Sequence, residues 1–225
     1  MTFLLICVTV YVALYISWPR LRPWIIGMRG ESKAARVLRR HGLPHLQDLQ
    51  VLGANGTTYQ VDLVARIGKW FYVIEVKNYA GLIEGWADER LWSQHITRHK
   101  KYDFYNPLWQ NYGHVKALEE SLPGLRFQGL VLFTGSANFA VGFPSGVMNL
   151  RGFERLVAKY AHIGRNDPTL MAEWNRITTL GVDRRARRAR IRQAWRDGLQ
   201  RIAKLFGRRR PARADSDTGS EVNRQ

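Results

Sequence analysis

A single cysteine, Cys7, is all the thiol this 225-residue chain carries. That excludes an intrachain disulfide and any cysteine zinc site, and it suits a reducing compartment. Histidine is sparse as well. The six are scattered, His41 and His45 flanking the turn signal Gly42-Leu43-Pro44 and His95 and His99 lying near a loop, and none shows metal-ligand spacing. Acid is short: 18 Asp and Glu stand against 35 Lys and Arg, a net charge of +17. Such an excess favours an anionic partner, either nucleic acid or an acidic membrane surface. The length suffices for one domain with a real core and some appendages.

Charge is also missing from Thr2 to Trp18, TFLLICVTVYVALYISW, a length at the short end for a membrane span. A cleavable signal peptide is the competing interpretation, but there is no basic segment before the run and no small-x-small site before Trp18-Pro19. The expectation is an N-terminal transmembrane helix. Arg20, Arg22, Arg29, Lys33 and Arg36 follow it, so the positive-inside rule puts the rest of the chain in the cytoplasm, as a single-pass protein of the inner membrane. Much of the positive charge lies at the other end. Asp183 to Arg213 hold thirteen Lys or Arg against two Asp, eleven of the net +17. Ile191, Ala194, Trp195, Leu199, Ile202, Leu205 and Phe206 recur there at helical steps, giving a basic amphipathic helix suited to anionic lipid or nucleic-acid backbone.

The centre of the chain, Thr57 to Tyr79, reads TTYQVDLVARIGKWFYVIEVKNY, two strands joined at Ile67-Gly68-Lys69. Period-two alternation places Gln60 with Asp62 on one face of the first strand and Glu75 with Lys77 on one face of the second. Charges in so apolar a hairpin are either paired with one another or gathered around a cation. Two carboxylates on adjacent strands are hard oxygen ligands for Mg²⁺ or Mn²⁺, and a Lys beside them can hold a phosphate oxygen or assist an attacking water. An ordinary salt bridge satisfies the same spacing, and both interpretations stand at this point.

Around this hairpin the pattern gives a helix from Glu31 to His41 with Ala34, Ala35, Val37 and Leu38 as its stripe, Glu31 sitting where a helix N-terminus favours a carboxylate. A small hairpin turning at Ala87-Asp88-Glu89 follows, Trp86 and Trp92 covering one end of the sheet. Ser93 to Tyr105 has no clear period and reads as a basic loop, either one whose Arg98, Lys100 and Lys101 attract phosphate beside a metal site or equally a plain solvated loop. Asn106 caps a helix that Pro107 opens, with Leu108, Val115, Leu118 and Leu122 expected on its buried face and Gln110 and His114 one turn apart. Phe127–Phe133 reads as a central strand, Gly135–Gly146 as loop and Leu150–His162 as a closing helix.

Four motifs in order carry a resemblance: Gly27, Gly30 and Glu31; Gln60 and Asp62; Glu75, Lys77, Asn78, Tyr79 and Gly81; and Asn106, Pro107, Gln110 and Asn111. Together they resemble the nuclease-related domain, NERD, over about residues 27 to 135. That family is grouped with the PD-(D/E)XK nucleases. The resemblance implies an α/β restriction-endonuclease-like core of order α-β-β-β-α-β, a mixed central sheet flanked by helices. It implies Asp62, Glu75 and Lys77 as the catalytic set, Glu31 as an additional acid, and a supporting role for Gln110, with Gln60 and Asn106 also in its motifs.

The expectation is therefore an inner-membrane, Mg²⁺- or Mn²⁺-dependent nuclease acting on nucleic acid, DNA favoured, with Asp62 and Glu75 as metal ligands. The rival is a catalytically silent nucleic-acid-binding or scaffold protein tethered to the same membrane. The expected organisation is an anchor and basic flank over 1–24, the nuclease-like domain over 27–165, a basic helical extension over 166–213 and a disordered tail over 214–225.

Overall fold

The computed structural model of the protein describes residues 29–53 and 56–180. The Thr2–Trp18 run, the basic Asp183–Arg213 segment and the tail lie outside the described residues. Among the described residues, no helix is long and apolar enough to cross a membrane.

Helix α1 covers 29–40 and buries the expected stripe of Ala34, Ala35, Val37 and Leu38. Strands β1 (His45–Leu52), β2 (Thr58–Ile67) and β3 (Trp70–Lys77) then form an antiparallel meander. The β2–β3 turn falls at the Gly68-Lys69 read from sequence. Strands β4 (Gly81–Glu84), β5 (Leu91–Thr97) and β6 (Lys100–Tyr105) branch away before helix α2 (Pro107–Ser121) returns the chain to β7 (Phe127–Phe133). β7 lies parallel to β3 in the middle of the main sheet, as its continuous apolar run requires, and β9 (Val147–Asn149) lies parallel to β7. The order across this sheet is β1-β2-β3-β7-β9. With β4 to β6 passed over, the elements run α-β-β-β-α-β.

Both faces of the sheet are covered, so β3 and β7 carry apolar residues of both parities. α1 and helix α3 (Leu150–Tyr160) pack with Leu63, Ala65, Ile74, Leu130 and Leu132. α2 and helix α4 (168–180) pack with Leu49, Val61, Val64, Phe71 and Val73. Leu170 and Ile177 of α4 belong to that cluster, so the packed core continues past residue 165.

The second sheet has the order β6-β5-β4-β8, with β8 at Ala137–Phe139. The hairpin between β4 and β5 is the one expected. The basic stretch expected as a loop is instead the β5–β6 hairpin. β6 is an edge strand with five of six residues exposed, and a strand without a buried face has no apolar alternation to read. β8 lies in the other expected loop; three residues paired in parallel with β4 are too few to show a period. Trp92 is fully buried with Phe133, Val131 and Ile83, whereas Trp86 is 53% exposed. Gly81 must be glycine: its φ is +87°, and a Cβ there would meet the His95 carbonyl oxygen at 2.2 Å. This close approach lets β4 leave the end of β3 and start the second sheet.

Candidate active site

The β2–β3 ladder stops one rung short of its charged residues. Leu63 pairs with Ile74, and the next rung would set Asp62 opposite Glu75. There the Asp62 side chain takes over from the backbone: its Oδ2 accepts the Val76 N–H at 2.8 Å. Glu75 shares the parity of Phe71 and Val73, and so faces α2, while Ile74 and Val76 pack towards α1 and α3.

Lys77 Nζ donates to Glu75 Oε1 at 2.6 Å and to Gln110 Oε1 at 3.0 Å. The lysine side chain is 16% exposed and the glutamate 2%, so the pair lies at the floor of the site with one edge towards solvent. Glu75 Oε2 is different. It is buried without a hydrogen-bond partner and faces His114 Nδ1, also without one, at 3.5 Å. Tyr59 closes the far side of His114 with an edge-on ring contact at 6.0 Å.

The electrostatics follow from this crowding. Burial, then the Glu75 charge, push the Asp62 pKa from 3.8 to about 7 against the opposing pull of the Val76 N–H and Lys77. Burial also raises the Glu75 pKa; Lys77 and the Gln110 side chain lower it and lose, while the Glu31 carboxylate raises it further. Burial disfavours the Lys77 ammonium, but Glu75, Tyr79 and Asp62 together outweigh it and the lysine pKa rises. His114 is driven down to about 4 by burial and by Lys77, and is neutral at physiological pH.

The helices seat these groups through specific polar contacts. Gly30 lets α1 reach the end of β3, since a Cβ there would sit 2.8 Å from both Asn78 Cβ and Thr134 Oγ1. Lys33 on the next turn donates to the Thr134 carbonyl at 3.0 Å. Asn106 is fully buried and caps α2 by accepting the Leu108 N–H, while its amide donates to the carbonyls of Trp86, Ala87 and Glu89. Of the apolar face expected for α2, Leu118 and Leu122 are buried, but polar groups share that face. Pro107, Asn111, His114, Ala117 and Leu118 are buried, Leu108 and Val115 only partly. Asn111 Nδ2 donates to the Val73 and Leu130 carbonyls, bridging β3 and β7.

Of the residues singled out by sequence, Asp62, Glu75, Lys77 and Gln110 converge, and Glu31 lies within electrostatic reach of Glu75. Gln60 turns to β1, donating to Asp48 Oδ1 at 2.8 Å, and Asn106 supports the site through the fold. Arg98, Lys100 and Lys101 are exposed at the tip of the β5–β6 hairpin, in the second sheet; Lys101 lies 3.7 Å from Asp103 and Lys100 stands over the Tyr102 ring. Asn111 was noticed in sequence only as part of a motif. Its structural signal is an amide buried on a helix face that spacing alone would assign to leucines.

Among the described residues, no three His, Cys, Asp or Glu side chains form a metal-holding group. The protein's share of any cation site here is two carboxylates. That donor set fits Mg²⁺ or Mn²⁺, hard ions that Mg²⁺-type sites bind through one or two carboxylates and several waters. The partnerless Glu75 Oε2 and the mutual repulsion of Glu75 and Asp62 are what a cation would relieve.

Residues 26–134 match the nuclease-related domain family, a span that includes all the converging side chains. An uncharacterized protein of Bacillus anthracis is 36% identical over 96 residues, covering 41% of this chain and 45% of that protein. The chain therefore spans less than half the length of that curated relative. No solved structure matches the chain. Residues 26–134 of this protein are a nuclease-related domain (NERD).

Proposed function

We propose that the protein is a divalent-metal-dependent nuclease of the PD-(D/E)XK kind, held at the cytoplasmic face of the inner membrane by Thr2–Trp18. The observation that carries the catalytic part is the meeting of Asp62, Glu75 and Lys77 beside α2, with Glu75 Oε2 buried and unpartnered. A plain structural salt bridge would satisfy its oxygens. This cluster keeps two repelling carboxylates against one ammonium. The α-β-β-β-α-β order and the family match support the same assignment.

Asp62 and Glu75 would hold Mg²⁺ or Mn²⁺, which when bound supplies Lewis acidity and a water of lowered pKa. Lys77, its pKa raised, is an ammonium at neutral pH and suits holding a phosphate oxygen as charge builds on it, not proton abstraction. Gln110 accepts a second bond from the same ammonium and helps fix it. Glu31, at the mouth of the site on α1, would position a water or a second ion. DNA is the favoured substrate, and the basic segment from Asp183 to Arg213 would add backbone or anionic-lipid contacts.

The test is cleavage by the full-length protein of single- and double-stranded DNA and RNA in Mg²⁺, Mn²⁺ or EDTA. Glu75→Ala and Lys77→Ala serve as controls. Metal-dependent cleavage that falls at least about 100-fold in both variants is expected. Cleavage at the parental rate in both would overturn the site, and binding without cleavage in every metal would assign the silent tether.

A further inference from the structure

Asp62 sits where β2 is released from both of its neighbours at once. On the β3 side the ladder ends at Leu63–Ile74. On the β1 side Gln47 pairs with Leu63 and Leu49 with Val61, so Asp48 and Asp62 are skipped together although the register is unchanged. Asp48 is the one non-glycine among the described residues with a left-handed backbone, φ +57°. Asn and Asp tolerate that region better than other side chains, and a β-branched residue does not.

The side-chain alternation breaks at the same rung. Leu63, Ala65 and Ile67 of β2 face α1 and α3, but Tyr59 and Val61 join Val64 on the α2 side. In β1, Leu46, Leu49 and Val51 all lie on the α2 side, a step of three residues across Asp48. A regular strand would send Val61 with Leu63 to the other face. Both strands are thus twisted at one point, and a side-chain bond spans the twist: Gln60 Nε2 to Asp48 Oδ1, 2.8 Å.

We infer that Asp48 and Gln60 are positioning residues for Asp62. The left-handed turn at Asp48, held by the Gln60 amide, opens the β1–β2 ladder at this rung and lets Asp62 swing across to cap Val76 beside Glu75. Neither residue touches the reacting groups. Without the pair, β1 and β2 would zip regularly through the rung and Asp62 would be drawn back towards a regular strand face. The functional arm rests on Asp62 as a metal-holding carboxylate; the positioning itself does not.

Full-length protein in EDTA is compared with Asp48→Val, Asp48→Asn and Gln60→Leu, following the Val76 amide by hydrogen exchange with Ile74 and Val64 as internal references. Gln60 is exposed, so Gln60→Leu leaves the core intact and remains informative if Asp48→Val fails to fold. Val76 exchange is expected to accelerate about tenfold or more in Asp48→Val and Gln60→Leu, with the references unchanged, and to return to the parental rate in Asp48→Asn. Mn²⁺ alone, titrated calorimetrically, is expected to bind about 10- to 100-fold more weakly to the first two variants. Parental Val76 protection in Gln60→Leu overturns the positioning. A parent that binds no Mn²⁺ overturns Asp62 as a ligand while the exchange result still decides the positioning.

Discussion

Asp62→Asn is expected to make the fold more stable at pH 8 while removing the activity. The Asp62 pKa rises from 3.8 in the unfolded reference to about 7 in the fold. Between those values the folded state binds more protons than the unfolded one, so the parent loses stability as pH climbs from about 4 to about 7 and is level above. Three units at about 1.4 kcal/mol each put the full loss near 4 kcal/mol, an upper bound because Glu75 shares the titration. Asn keeps an oxygen for the Val76 N–H and carries no charge, so it escapes this fall at almost no cost in hydrogen bonding. Thermal melts of the full-length protein in EDTA should place Asp62→Asn about 2–4 kcal/mol above the parent at pH 8, roughly 5–10 °C in Tm, and within about 1 kcal/mol at pH 4. Mn²⁺ at about 100 times its Kd should restore some 2.7 kcal/mol to the parent and largely close the gap. A variant no more stable than the parent at pH 8, or a gap independent of pH, would refute the raised Asp62 pKa that burial and the Glu75 charge produce.

Because a cation bound at Asp62 must displace its proton, Mn²⁺ affinity measured by calorimetry should rise about tenfold per pH unit up to about 7. Gly30→Ala forces a methyl to within 2.8 Å of Asn78 and Thr134, so α1 must lift from β3. It should lower stability in urea by about 1–3 kcal/mol and weaken activity through the displaced Glu31. Asn106→Ala removes the α2 cap and the donor to three carbonyls. A loss of roughly 2–4 kcal/mol in the same assay is expected.

The main sheet was legible where both parities of a strand are apolar or where a turn residue marks an end: β2, β3 and β7, the capped start of α2, and α3. The second sheet was half legible. Its β4–β5 hairpin shows a turn, but β6 and β8 have no buried face or enough length to impose a period. At the site, Asp62, Glu75, Lys77 and Gln110 were legible because charge in an apolar hairpin is conspicuous and the motif order is specific. Gln60 was given the right neighbourhood by a rule that fails there, since period two does not run through Asp62. Asp48, four residues into an unremarkable strand, gave no signal at all; its φ comes from the tertiary twist of two strands.

Those failures share a physical cause. Secondary-structure periodicity describes strands that are paired, and this site is built where pairing stops. The ladder that would have satisfied Val76 is replaced by a carboxylate, and the buried face of α2 carries Asn111 and His114 beside Ala117 and Leu118. This exchange of apolar packing for polar contacts ties residues far apart in sequence, Asp62 to Val76 and Asn111 to both Val73 and Leu130. Glu75 Oε2 and His114 Nδ1 are left over from that exchange. A site shaped only by stability would have removed them, as replacing such buried ion groups by apolar ones is often neutral or stabilising. A cation held between Asp62 and Glu75, as proposed above, would give Glu75 Oε2 the partner it lacks and offset the repulsion of the two carboxylates.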